Sequence, residues 1–303
     1  MGDTPRWIDL IDPSDDELRA HLPEHVHRTA LVALRAPHVH DDEPRPRIES
    51  HGDYVLGIFL VPVVVSAEDR VYYQEIDFVA TADTLVSVSK TPPGEPPFDP
   101  KPAKEACRAD EEIGMFVYHL VDEVAEHYLD LVDDLDDEID ELEDLVADSP
   151  PEVVGRRLRD LRGDLRGIRR TLTPTRDAVH KIVDNRVELD DADLFPRDVE
   201  IAFGDAYDKL LRATEALESP RDAIAGVRNY LQGKISNDQN DVMKRLTLIA
   251  SLLLVPTFIV GLYGQNFRDI PELGWAFGYW WSWGWILATT AGQLLFFRWK
   301  RWI

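Results

Sequence analysis

Residues 243–281 read MKRLTLIASLLLVPTFIVGLYGQNFRDIPELGWAFGYWW, and this stretch decides the architecture. Leu246–Leu262 is 17 residues without a charge, and Leu273–Phe297 is a further 25. At 1.5 Å rise per residue, about 20 apolar residues cross a bilayer core. The second segment therefore spans outright, and the first spans once its polar but neutral neighbours are counted. The expected spans are about 243–262 and 275–297, with a loop at 263–274. Lys244 and Arg245 precede the first, and Arg298, Lys300 and Arg301 follow the second, whereas the connector carries one Arg and two acids. Positive-inside counting puts both termini in the cytoplasm and the connector outside, as in a multi-pass protein of the cytoplasmic membrane. Trp275, Trp280, Trp281, Trp283 and Trp285 lie toward the outer end of the second span and Trp299 and Trp302 flank its inner end, the arrangement of an interfacial aromatic belt.

Working outward, the 303 residues hold 57 acids against 33 Lys and Arg, a formal net charge of −24. From Lys244 to the last residue, six basic residues face two acids, Asp269 and Glu272, so this tail is +4 and the preceding 243 residues carry −28. The mean hydropathy of −0.27 hides that division. Such acidity excludes nucleic acid, whose binding needs Lys and Arg on phosphates, and favours cations. The single cysteine, Cys107, forms no intrachain disulfide and by itself suggests no metal site. His119, His127 and His180 fall on helical segments without a paired ligand at metal spacing, so they read as packed or solvated. The opening MGDTPRWIDLIDPS has no apolar run of a signal peptide. No P-loop or G-x-S-x-G elbow is present, so an enzyme is not expected.

Residues 1–95 read as α/β. Tyr54–Val65 and Val71–Lys90 are rich in Val, Ile, Tyr and Phe, and the ADT at 82–84 divides the latter into a hairpin. Ser14, with Glu17 three residues on, marks a capped helix start. Six prolines between Thr91 and Pro102 read as a linker. Residues 96–197 are helical. Val121, Val124, Tyr128, Leu131, Leu135, Ile139 and Leu142 recur at threes and fours among thirteen acids, and Leu158, Leu161, Leu165, Ile168 and Leu172 repeat the spacing among seven arginines. An acidic helix turning back on an arginine-rich one is expected to neutralise itself. Residues 198–242 form a stalk helix with a kink or short break near Glu218–Pro220, leading into a membrane domain at 243–303. Across the membrane entry Asn240, Met243, Thr247, Ala250, Leu254, Thr257 and Gly261 form a stripe at alternating threes and fours, small, polar or flexible where a lipid-facing helix would carry Leu and Val. One two-helix hairpin cannot enclose a pore, so the stripe suggests an axis shared by identical subunits.

The run at 243–281 resembles the membrane signature of the CorA family of divalent-cation channels, in which an aromatic-Gly-Met-Asn motif ends the first span and a Pro-Glu-Leu loop follows. Here the motif stands as Tyr263, Gly264, Gln265, Asn266 and Phe267, and the loop as Pro271, Glu272 and Leu273. FGDAYDKL at 203–210, WIDLIDPSDDEL near the start and RPRIESHGDYVLGIFLVP are also similar to the family, so the resemblance covers most of the chain. It implies a homopentameric funnel in the lipid bilayer, with α/β cytoplasmic domains, long stalk helices lining the pore and an outer ring of second spans. By the same resemblance Tyr263, Gly264, Gln265 and Asn266 form the selectivity filter, and Asn240, Met243, Leu246, Leu254, Thr257 and Gly261 face the pore, with Leu246 in place of the Thr247 of the stripe. Asp205 matches an acidic residue that holds regulatory Mg²⁺ between subunits. Glu272 would draw cations to the outer mouth, and Lys244, Arg245, Arg298, Lys300 and Arg301 would form a basic collar. The implied function is magnesium transport gated by intracellular Mg²⁺; Co²⁺, Ni²⁺ and Zn²⁺ are further candidates. Gln265 stands where the family has Met, which leaves open Zn²⁺ transport similar to ZntB, with or without proton coupling. A non-conducting membrane-anchored scaffold or sensor is the reading from another class.

Overall fold

The computed structural model describes residues 5–39, 43–65, 70–108, 110–190, 192–266 and 270–302; Phe267, Arg268 and Asp269 of the connector lie outside them. The chain divides into two compact units, Met1–Arg228 and Asn229–Ile303.

The first unit is built on five strands, β1 (Arg6–Ile11), β2 (Arg47–Ser50), β3 (Val55–Val65), β4 (Arg70–Ala80) and β5 (Thr84–Lys90), in the order β1-β5-β4-β3-β2. β1 runs parallel to β5 and the other pairs are antiparallel. The expected hairpin turns at Thr81–Thr84, where the Thr84 N–H donates to Thr81 Oγ1 at 3.1 Å. Two helices, α1 (Asp15–His21) and α2 (Arg28–Arg35), cover one face of the sheet. Leu18, Ala30 and Leu34 pack there against Tyr54, Leu56, Val79 and Val88. Helices lie on both faces, so β3 and β4 are buried nearly throughout and lose the alternation of a half-exposed strand. Ser14 caps α1 in a full capping box with Glu17. The proline-rich segment is a strap rather than a free tether: Gln74 donates to the Pro96 carbonyl at 2.9 Å and Phe98 is buried.

After α3 (Lys101–Ala106) come the long helices α4 (Ile113–Asp148) and α5 (Pro151–Val183). All seven apolar positions predicted along α4 are buried. The expected neutralisation of α4 by α5 is only partial. Arg157 reaches Glu138 and Glu141 at 3.5 and 3.4 Å, and Arg170 pairs with Glu43 instead. Arg159, Arg162, Arg166 and Arg169 recur at 3, 4 and 3, which places them on one helical face, and they line a groove with Thr214 and Ile224. The acidic face of α4 is left to solvent.

Helices α6 (Arg197–Ala216) and α7 (Glu218–Tyr263) are separated by the single residue Leu217, close to the predicted break. Pro220 is tolerated because it falls in the first turn of α7, where its missing N–H has no helical partner to lose. The second unit holds the remainder of α7, a 3₁₀ turn at Pro271–Gly274, and α8 (Gly278–Trp299).

Beneath α2, the sheet buries a charged cluster. The Lys90 ammonium donates to Glu75 at 2.5 Å and to the Ala33 carbonyl at 2.7 Å, and lies 2.9 Å from Asp77. The His38 ring sits 3.6 Å from Glu75. Burial, offset by Lys90 and reinforced by Glu75, pushes the Asp77 carboxyl up to about 7.

Candidate functional site

The apolar part of α7 belongs to a helical stretch that is long and apolar enough to cross a membrane. α8, with 22 residues and no charge before Arg298, meets the length, but its five tryptophans, one tyrosine and three glycines lower its hydropathy. The two helices touch: Gln293 Nε2 of α8 donates to the Ser251 carbonyl of α7 at 3.1 Å. Along the apolar part of α7, from Leu246 on, the covered positions are Leu248, Ser251, Leu252, Val255, Pro256, Ile259 and Tyr263, a face at helical spacing. The stripe predicted from sequence lies almost opposite. Asn240, Met243, Leu246, Thr247, Leu254, Thr257 and Gly261 are all exposed, Leu254 at 69% and Met243 at 58%. Thr247 and Thr257 turn their hydroxyls back onto the carbonyls of Met243 and Leu253, at 2.8 and 2.7 Å, which satisfies the hydroxyl protons and leaves oxygen lone pairs outward. Pro256 lies inside α7 and removes one ladder hydrogen bond in mid-helix.

α7 ends at Tyr263, and the Gly264 N–H closes on the Val260 carbonyl at 2.9 Å. A Cβ at Gly264 would stand 3.1 Å from that same oxygen, a tight contact, while the backbone torsion there is not left-handed. Gln265 and Asn266 follow, both exposed. Glu272 is half-buried in the 3₁₀ turn, where its carbonyl accepts from the Trp275 N–H at 3.3 Å. Gly278 presses so closely on the Glu272 backbone that a Cβ would stand 2.2 Å from its carbonyl oxygen. Trp275, Trp281 and Trp285 form a chain of ring contacts at 6.0 Å per step, and Phe297 stacks on Trp302 at 5.7 Å. Eighteen residues separate Trp281 from Trp299, about 27 Å of helix, close to the thickness of a bilayer core. Of the predicted collar, Lys244 pairs with Asp241 at 3.0 Å, and Lys300 lies 4.9 Å from the Trp299 ring centre. Arg245, Arg298 and Arg301 are exposed.

The profile of the CorA-like Mg²⁺ transporter protein family matches residues 2–301. The chain belongs to this family. It is 28% identical over 306 residues to the cobalt/magnesium transport protein CorA of Thermotoga maritima, covering 99% of this chain and 84% of that one. In structure it is similar to the complete CorA magnesium transporter of Methanocaldococcus jannaschii, with TM-score 0.77 and 22% identity over 98% of this chain and 91% of the other. The full-length CmaX protein gives TM-score 0.74 at 21% identity, over 100% of this chain and 90% of the other. The architecture predicted from sequence, an α/β domain, a long helix and a C-terminal helical hairpin, is that of these CorA-family structures.

Two further features of this CorA-family chain lie in the first unit. Asp205 is exposed on α6, lining a hollow with Tyr118, Asp208, Lys209 and Arg212. Lys209 is drawn away to α4, bonding Asp122 at 2.7 Å and also Glu126, so of the two cations lining the hollow this one is engaged elsewhere. The second feature corrects the sequence reading: Cys107 and His119 are not isolated. Cys107 Sγ, a Glu111 carboxylate oxygen and a His119 ring nitrogen lie within 4.8 Å of one another. Burial, with Glu111 adding to it, pushes the Cys107 thiol up to about 11. Spacings of four and eight residues match no metal motif, because a turn and the first two turns of α4 bring the three together. The one signal in the sequence is that the lone Cys shares a stretch of thirteen residues, 107–119, with a His and three acids.

Proposed function

We propose that the chain assembles as a homopentamer and conducts divalent cations, Mg²⁺ foremost, across the cytoplasmic membrane, with both termini cytoplasmic. The observation that carries this reading is the face of α7 opposite α8. It is exposed, it bears Asn240, Thr247, Thr257 and Gly261 among flexible apolar residues, and it leads to Asn266 at the helix end. An exposed apolar helix needs cover, and copies of itself around an axis supply it on the flanks while lipid and α8 supply it outside. Mg²⁺ sheds its water reluctantly, so neutral amide and hydroxyl oxygens that bind its hydration shell suit passage better than carboxylates, which release more slowly. Met243, Leu246 and Leu254 would narrow the path and close it by dewetting.

Five copies of the whole chain, each at −24, would carry about −120, and the excess acids lie in the first unit, where they attract cations. Asp205 is the proposed regulatory ligand: carboxylates meeting between subunits repel, and Mg²⁺ relieves the repulsion and favours the closed state. Purified protein in liposomes should admit Mg²⁺, with Co²⁺, Ni²⁺ and Zn²⁺ as comparison ions. Absence of flux for every ion would favour a non-conducting anchor, and Zn²⁺ uptake driven by a pH gradient would favour a proton-coupled transporter. Asp205→Ala should raise the internal Mg²⁺ needed for half-closure several-fold, measured by flux against internal Mg²⁺. An unchanged value would remove Asp205 from the regulatory role.

A further inference from the structure

We infer that Cys107, Glu111 and His119 form a binding site for a borderline divalent cation, Zn²⁺ or Co²⁺, separate from the proposed conduction path. The three side chains are half-buried and their donor atoms already lie within 4.8 Å of one another. Tetrahedral Zn²⁺ bonds of about 2.0–2.3 Å place neighbouring ligand atoms roughly 3.3–3.6 Å apart, so side-chain rotation closes the set without moving backbone. One distance is there already: His119 Nε2 is 3.1 Å from Glu111 Oε2.

The frame holds each donor in place. Cys107 is the C-cap of α3, with its N–H on the Lys104 carbonyl and its Sγ 3.3 Å from the Ala103 carbonyl. The Arg108 N–H donates to Glu111 Oε2 at 3.0 Å, which ties the turn. His119 projects from the second turn of α4, a rigid helix of 36 residues. The donor types decide the ion. Thiolate and imidazole suit Zn²⁺ and Co²⁺, while Mg²⁺ wants six oxygens in an octahedron, which one carboxylate cannot supply. On binding, the Cys107 S–H gives its proton to solvent and the thiolate becomes a ligand. A water molecule takes the fourth position.

The chain has one cysteine, so every thiol signal reports this site. The full-length protein in detergent should give a thiolate-to-Co²⁺ charge-transfer band with one equivalent of Co²⁺, and Zn²⁺ should abolish it. Zn²⁺ should slow alkylation of Cys107 by about tenfold or more, and millimolar Mg²⁺ should not. Cys107→Ser should lose the band. His119→Ala and Glu111→Gln keep the thiol and should lose most of the protection, with circular dichroism confirming the fold. A missing band in the native chain overturns the site. Full protection surviving in both His119→Ala and Glu111→Gln also overturns it, because the thiol would then bind the ion alone.

Discussion

Asn266→Ala is expected to cut Mg²⁺ flux into liposomes by about tenfold or more while the protein stays folded and assembled. Asn266 is exposed two residues beyond the Gly264 turn that ends α7, so its loss removes no packing from the described structure. What it removes is an amide oxygen at the end of a helix whose final carbonyls already carry partial negative charge, a position that favours cations. In the proposed pentamer five such amides face the ion's water shell together. Tenfold corresponds to about 1.4 kcal/mol, well under one ordinary hydrogen bond per subunit. Asn266→Asp is the informative companion. It keeps an oxygen and adds charge, so apparent affinity should rise while maximal flux falls, because tighter binding slows release. Flux by Asn266→Ala equal to the native chain would place the filter elsewhere.

The features that follow from local pattern were legible in the sequence. The strand pair around Ala82, the cap at Ser14 and the apolar stripe of α4 all depend on residues within a turn or two of each other, where periodicity and capping chemistry decide. The stripe on α7 was legible as a face for the same reason: small and polar residues at helical spacing within an apolar run mark one side of the helix, and that side is the one α8 leaves open. β1 is different. It reads as a short run before a helix, and it is a strand because β5, nearly eighty residues away, offers a parallel partner with Trp7 Nε1 donating to Ser87 Oγ at 2.9 Å. The direction of the α5 arginines was likewise hidden, since charge composition carries no information about which face meets α4. The Cys107 cluster depends on a turn geometry that no spacing rule encodes. The buried charges left a faint trace: Glu75 and Asp77 are two apart in a strand and so share a face, and Lys90 closes the next strand.

That buried cluster carries the second large effect. Lys90→Met should destabilise the first unit by about 3–5 kcal/mol at pH 8, because Glu75 and Asp77, 3% and 0% exposed, would be left without the ammonium that pairs them. For a unit of this size that is a fall in Tm on the order of 10 °C. The loss should shrink toward pH 5, where Asp77 takes up a proton instead of standing as an uncompensated charge. In the native chain Asp77 is raised from its ordinary 3.8 to about 7, so the folded protein holds a proton that the unfolded chain releases across that window. This contribution to stability is fully present below about pH 4 and is lost as pH rises through about 7. Asp77→Asn removes the titration while Lys90 keeps Glu75, so its stability should depend less on pH between 5 and 8 and should match or exceed the native chain at pH 8. Unfolding curves at pH 5, 6.5 and 8 for the native chain and both variants decide the matter. Equal pH slopes for native and Asp77→Asn would show that Asp77 stays ionised in the fold, held by Lys90 alone.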